Sequence, residues 1–192
     1  MKILLIGKFK SAVVSIGVIV LFLGSIAIAQ KSQQISATAM GTSTQLGRII
    51  NVDVRISELS TPEDQAVLLA VFAESGNEGL TNALEKMKSK GRLAITGTLG
   101  YDVNYIREIK MPDGSRKIRF VTDRMIRFGE VWGSTRSMDY SLAMGEIIIA
   151  KDKKSSSGTL MPAAKLRINK EGEVEIETFQ NPWRLTNIKV WK

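Results

Sequence analysis

The stretch from Ile49 to Leu99 constrains this chain more than any other, because its apolar residues change period twice. The spacing runs at two residues, then at about 3.6, then at two again, the signature of strand, helix and strand. Ile50, Val52, Val54 and Ile56 alternate with Asn51, Asp53, Arg55 and Ser57, which predicts a half-buried strand. At Ser60-Thr61-Pro62-Glu63-Asp64 the chain carries a helix start. Thr61 can cap the first free amides, Pro62 suits the first helical position, and the two acids complement the positive end of the helix.

The helix body from Ala66 to Ala73 is apolar on all sides, which predicts cover on more than one side. Gly76 supplies a left-handed stop and Asn77 a fresh cap, so the spacing predicts a second helix and thus an αα-hairpin. The second arm has a narrow stripe of Leu80, Ala83, Leu84 and Met87, which would leave it outermost. Leu93 and Ile95 then alternate with polar neighbours as a strand antiparallel to the first. The ordinary reading of this whole unit is core packing.

Lys2, Lys8 and Lys10 precede a small and apolar run from Ala12 to Ala29 that closes on Ala27-Ile28-Ala29. That pattern predicts a secretory signal peptide over residues 1–29, the competing reading being a retained membrane anchor, since the run approaches bilayer-spanning length. No cysteine follows Ala29, so a lipid-anchored lipoprotein is excluded. The expected location is therefore periplasmic or secreted, with membrane contact only through an uncleaved signal segment. Residues 30–46 are mostly Ser, Thr and Gln with isolated apolar residues, and are expected to be a flexible leader or tether, leaving one α+β domain over 47–192.

The chain has 27 Lys and Arg against 19 Asp and Glu, a formal net charge of +8, part of which sits on the signal lysines. No helix-turn-helix, zinc or RNA-binding pattern accompanies that charge, so an anionic envelope component is a more natural neighbour than nucleic acid. Cysteine and histidine are both absent. Disulfides, thiol chemistry, Ser-His-Asp and Cys-His catalysis and histidine-bound zinc are excluded with them. No phosphate-cradling glycine loop or calcium loop occurs, and no cofactor is implied. Carboxylate chemistry survives: Asp102, Asp123, Glu130 and Asp139 stand near the ends of predicted strands, as a glycan hydrolase pair would require, although such residues are ordinarily capping or solvated groups.

Past Leu99 the chain reads as strands. Val103, Tyr105, Arg107 and Ile109 alternate along one, Met111-Pro112-Asp113-Gly114 is a turn, and Arg116 to Thr122 returns as its hairpin partner. Cations outnumber acids from Arg107 to Arg127, which gives either a solubilising ribbon or a patch for an anion. Met138 to Ala150, Ala164 to Ile168, Val174 to Ile176 and a final segment through Leu185, Ile188 and Val190 complete an expected antiparallel meander.

Between these strands, Arg124 to Arg136 mixes aromatics, arginines and glycines without a lasting period. It is the candidate binding loop. Phe128 and Trp132 offer flat apolar surface, and Arg124, Arg127 and Arg136 offer guanidinium forks for carboxylate or phosphate. The alternative is that the aromatics plug one end of the core and the arginines are solvated.

Arg55-Ile56-Ser57-Glu58-Leu59-Ser60-Thr61-Pro62-Glu63-Asp64, Lys90-Gly91-Arg92, Gly100-Tyr101-Asp102 and Arg184-Leu185-Thr186-Asn187 together resemble a family of exported bacterial proteins with no assigned function. The resemblance implies a shared fold and carries no catalytic residue. The expectation is an α+β fold, an antiparallel sheet, sandwich- or barrel-like, covered by an αα-hairpin inserted between its first two strands. Its expected role is that of a non-enzymatic binding or interaction domain of the envelope, with a carboxylate-dependent glycan hydrolase as the alternative.

Overall fold

The computed structural model describes residues 32–96, 98–127, 139–152, 154–170 and 172–191. The expected signal segment and most of the candidate binding loop lie outside them. The strands are β1 (Gln33–Met40), β2 (Ile49–Ile56), β3 (Gly91–Ile95), β4 (Tyr101–Lys110), β5 (Arg116–Thr122), β6 (Leu142–Ile149), β7 (Ser157–Ile168), β8 (Val174–Thr178) and β9 (Trp183–Trp191). One helical element, α1 (Pro62–Lys86), lies between β2 and β3.

All pairings are antiparallel, in the order β6-β5-β4-β3-β2-β1-β9-β7, and β6 also pairs with β7, so eight strands close into a barrel. A barrel of this size is filled by its own side chains. Ile35, Val54, Leu93, Ile106, Phe120, Ile147, Leu160, Trp183 and Leu185 are all essentially inaccessible inside it. The inward row Ile106, Phe120, Gly145, Leu160 and Trp183 runs across five neighbouring strands, and the glycine makes room for the phenylalanine ring.

Residues 33–40 overturn the expected leader. They form β1, which pairs with β2 on one side and β9 on the other and so closes the barrel. Ile35, Ala37 and Ala39 face inward, while Ser36 and Thr38 face out. The alternation was present, but two of the three inward residues are alanines, which carry little hydropathy. Closure buries them regardless of size, and the domain therefore starts before the expected residue 47.

The inserted segment also differs from expectation. Its start is as read: Thr61 Oγ1 accepts from the Asp64 amide and the Asp64 carboxylate accepts from the Thr61 amide, with Pro62 in the first turn. Beyond it the helix is interrupted at Gly76 (φ 60°, ψ −150°), where two helical stretches meet at a kink, so the glycine stop stands where expected and the segment is one kinked element. Asn77 does not cap a new helix. Its amide donates to the Leu166 carbonyl and its Oδ1 accepts from the Leu166 amide, both at 2.8 Å, tying the break to β7. An unbroken helix of 25 residues would span about 37 Å. Yet Lys90, just past its end, reaches Asp64 at its start at 3.3 Å, so the break redirects the path.

Leu68, Phe72, Leu80 and Leu84 bury against the outer barrel wall, each worth roughly 1.5–3 kcal/mol before entropy. The second half of α1 is therefore not the outer one: Leu84 is 1% exposed, whereas Val67 and Leu69 of the first half are 56% and 48% exposed. The expected all-round cover of the first half is absent among the described residues.

Two local shifts set the rest. The register slips between Val103 and Tyr105, so Asn104 is extra, Ile106 turns inward and Tyr105 turns out toward α1. The single alternation expected along β4 is thus split into two phases. In β7 the register slips opposite Leu142 and Met144, where Pro162 stands. The first part of β7 sits in the barrel between β6 and β9, and the second part pairs with β8 outside it. The expected final meander is corrected accordingly: β9 neighbours β7 and β1 and not β8.

Candidate functional site

Outward residues of β4 to β7 lie in rows fixed by register. Tyr105, Val121, Met144 and Met161 make an apolar row, and Arg107, Arg119, Glu146 and Thr159 make the charged row beside it. α1 packs over the apolar row without reaching the charged one completely. What remains is a cleft of about 260 Å³ whose lining includes Leu68, Leu69, Phe72, Tyr105, Val121, Met144 and, from the β7–β8 hairpin, Leu166 and Ile176. Arg107, Arg119 and Gln65 complete its wall.

The floor is apolar because a cross-strand set of outward residues is apolar. The roof is apolar because α1 repeats leucine and phenylalanine on one face. The hairpin wall is apolar because Leu166 and Ile168 stand opposite Ile176 and Val174, with the charged Lys165, Arg167, Glu175 and Glu177 on the other face. Ile168, Val174 and Ile176 remain about half exposed, so the apolar surface extends outward from the cleft.

Charge is concentrated in the second row. Arg119 Nε donates to Glu146 Oε2 at 2.7 Å, and Lys117 meets the same carboxylate at 3.2 Å. Burial raises the Glu146 pKa, but the hydrogen bonds from Arg119 and Lys117 outweigh it and the group stays below the usual carboxylate range. Arg107 stands directly opposite Arg119 and donates to Gln65 Oε1, a neutral acceptor. Among the described residues no carboxylate pairs with Arg107.

A larger cleft of about 650 Å³ lies between β1, β2, β9 and the β6–β7 turn, lined by Ser36, Asp53, Lys154 and Lys189 among others. Two of its polar groups, Ser36 and Asp53, are already joined to each other. Ser36 Oγ donates to Asp53 at 2.5 Å and accepts from Trp191 Nε1 at 3.0 Å.

Of the loop residues expected to bind, Arg124 and Arg127 are described and exposed, whereas Phe128, Trp132 and Arg136 lie outside the described residues. Arg124 gives both Nε and Nη2 to the buried Asp123, at 2.9 Å each, and these hydrogen bonds raise its pKa. Ile126 between them is fully buried in the barrel. Among the expected carboxylates, Asp123 is thus engaged on both oxygens and Asp102 pairs with Arg92 at 3.7 Å, while Glu130 lies outside the described residues. A general acid needs a free proton-bearing oxygen, which the doubly engaged Asp123 does not offer. No group of three or more acidic residues that could hold a metal ion occurs among the described residues.

Sequence reasoning noticed the basic ribbon around Arg107 and Arg119 without joining it to α1. The signal that could have found the site is the apolar surplus on the first half of α1, beyond what one packed face requires. No family model matches the chain, and no curated protein or solved structure does.

Proposed function

We propose that this chain is an exported, non-enzymatic binding domain of the bacterial envelope, a member of the exported family its motifs resemble, and that it holds a small apolar-tailed ligand in the cleft between α1 and the barrel wall. One observation carries this reading. The cleft is apolar on floor, roof and hairpin wall, and it continues into the half-exposed Leu69 and Ile176, a surface that water covers unfavourably and a ligand would cover well. The N-terminal run and the lack of imidazole and thiol support export and binding without catalysis.

Binding of the neutral fluorophore N-phenyl-1-naphthylamine tests the site. The folded protein should enhance its emission, and Leu69→Asp, which places a charge at the mouth on an exposed position, should weaken binding about tenfold or more. A folded Leu69→Asp variant with undiminished binding would move the site elsewhere. Replacing Arg127 and Trp132 together serves as the comparison, since it tests the candidate loop instead.

A further inference from the structure

The row of charge at the end of the cleft identifies the other half of the ligand. We infer, building on the cleft reading above, that the occupant is a free medium-chain carboxylate whose head is held by Arg107 and Arg119 and whose chain lies along Tyr105, Val121 and Met144 toward Phe72.

Two guanidinium groups directly opposite each other on neighbouring strands repel, and sheets avoid such pairs unless an anion lies between or beside them. The anion the fold supplies is Glu146, and it is already divided between Arg119 and Lys117. Arg119 reaches it through Nε, which leaves the outer nitrogens of its fork for a second acceptor. Arg107 has only the neutral Gln65 oxygen as its partner among the described contacts, so its charge is hydrogen-bonded but not neutralised. Both arginine side chains are exposed at the cleft wall and join it from the same row. A planar carboxylate suits two such forks.

Size sets the chain length. A cleft of about 260 Å³ holds roughly nine water-sized groups at about 30 Å³ each. A methylene occupies a similar volume, so a single chain of roughly eight to ten carbons fits within it.

Displacement of N-phenyl-1-naphthylamine from the whole folded protein by decanoate, decanol and decyltrimethylammonium, each below its micelle concentration, tests this. Decanoate should compete at least tenfold better than decanol, and the cation worse than either. Arg107→Gln should cut the preference for decanoate over decanol severalfold, with Arg119 still in place, and Arg107→Lys should restore part of the difference. Shortening decanoate by two carbons should weaken it on the order of tenfold. Equal competition by decanoate and decanol, with the fluorophore still bound in a Leu69-sensitive way, overturns the head-group inference and leaves the cleft reading standing. A decanoate preference undiminished by Arg107→Gln also overturns it. Failure of every apolar probe to bind would remove the cleft reading itself.

Discussion

Phe120 and Gly145 face each other across β5 and β6 inside the barrel, and replacing the glycine by alanine should cost about 3 kcal/mol. A Cβ built at Gly145 would stand 2.1 Å from Phe120 Cζ and 2.6 and 2.7 Å from its two Cε atoms. Those atoms belong to a rigid ring that is 1% exposed, and the same inward row holds Ile106, Leu160 and Trp183. The ring has nowhere cheap to go, which puts the cost at the upper end of the usual overpacking range of about 1–3 kcal/mol. Phe120→Leu alone should cost about 1–2 kcal/mol, less than full truncation of a buried aromatic.

The double variant should be much better than additive, because a leucine vacates the space that the new methyl needs. A coupling energy of about 2 kcal/mol is expected. Urea unfolding followed by circular dichroism and by tryptophan emission gives the four free energies. Gly145→Ala within about 0.5 kcal/mol of the parent, or a cycle that closes additively, would refute the packing argument. The glycine weakens its strand by itself, and the aromatic ring laid over it is the compensation.

Two further outcomes follow from the fold. Asn77→Ala removes both side-chain bonds to the Leu166 backbone, and should cost about 1–2 kcal/mol and speed hydrogen exchange at the Leu166 amide, measurable by NMR, while Asn77→Asp keeps only the acceptor and should protect that amide. At the root of α1, Lys90 is buried against Glu58 and Asp64 at 3.0 and 3.3 Å. The hydrogen bond from Lys90 lowers the Glu58 pKa, and the Thr61 amide, followed by Lys90, lowers that of Asp64. Both contributions are complete above the unfolded carboxylate pKa and are lost as pH falls through the lower folded values, because there the unfolded chain binds more protons. Burial alone lowers the Lys90 pKa, but its bonds to Glu58 and Asp64 raise it overall, so its own contribution holds below the unfolded lysine pKa and is lost only as pH rises through the folded one. Lys90→Met should therefore flatten the acid limb of a stability-against-pH curve without abolishing it, since the Thr61 amide remains.

Local physics wrote several elements directly into the chain. The Thr61 and Asp64 capping box, the alternation of β2, the Pro112-Gly114 turn (Gly114 at φ 81°) and the Asn169-Gly172 hairpin each depend on residues within a few positions of one another, and each stands where the sequence placed it. β1 was hidden because its inward alanines become core only when β9, about 150 residues later, closes against it. The helix break was visible in Gly76, but its direction was not, since Leu166 of a distant strand decides where Asn77 is held.

The candidate site divides in the same way. Residue types alone exclude imidazole and thiol chemistry and mark a basic ribbon and an over-apolar helix. That Arg107 and Arg119 stand opposite each other, and that α1 stops short of covering them, depends on strand register and on a bulge at Asn104. Register is set by pairing across the sheet, a non-local energy that no window of the sequence contains, and so only the folded barrel could bring the apolar row and the charged row into one cleft.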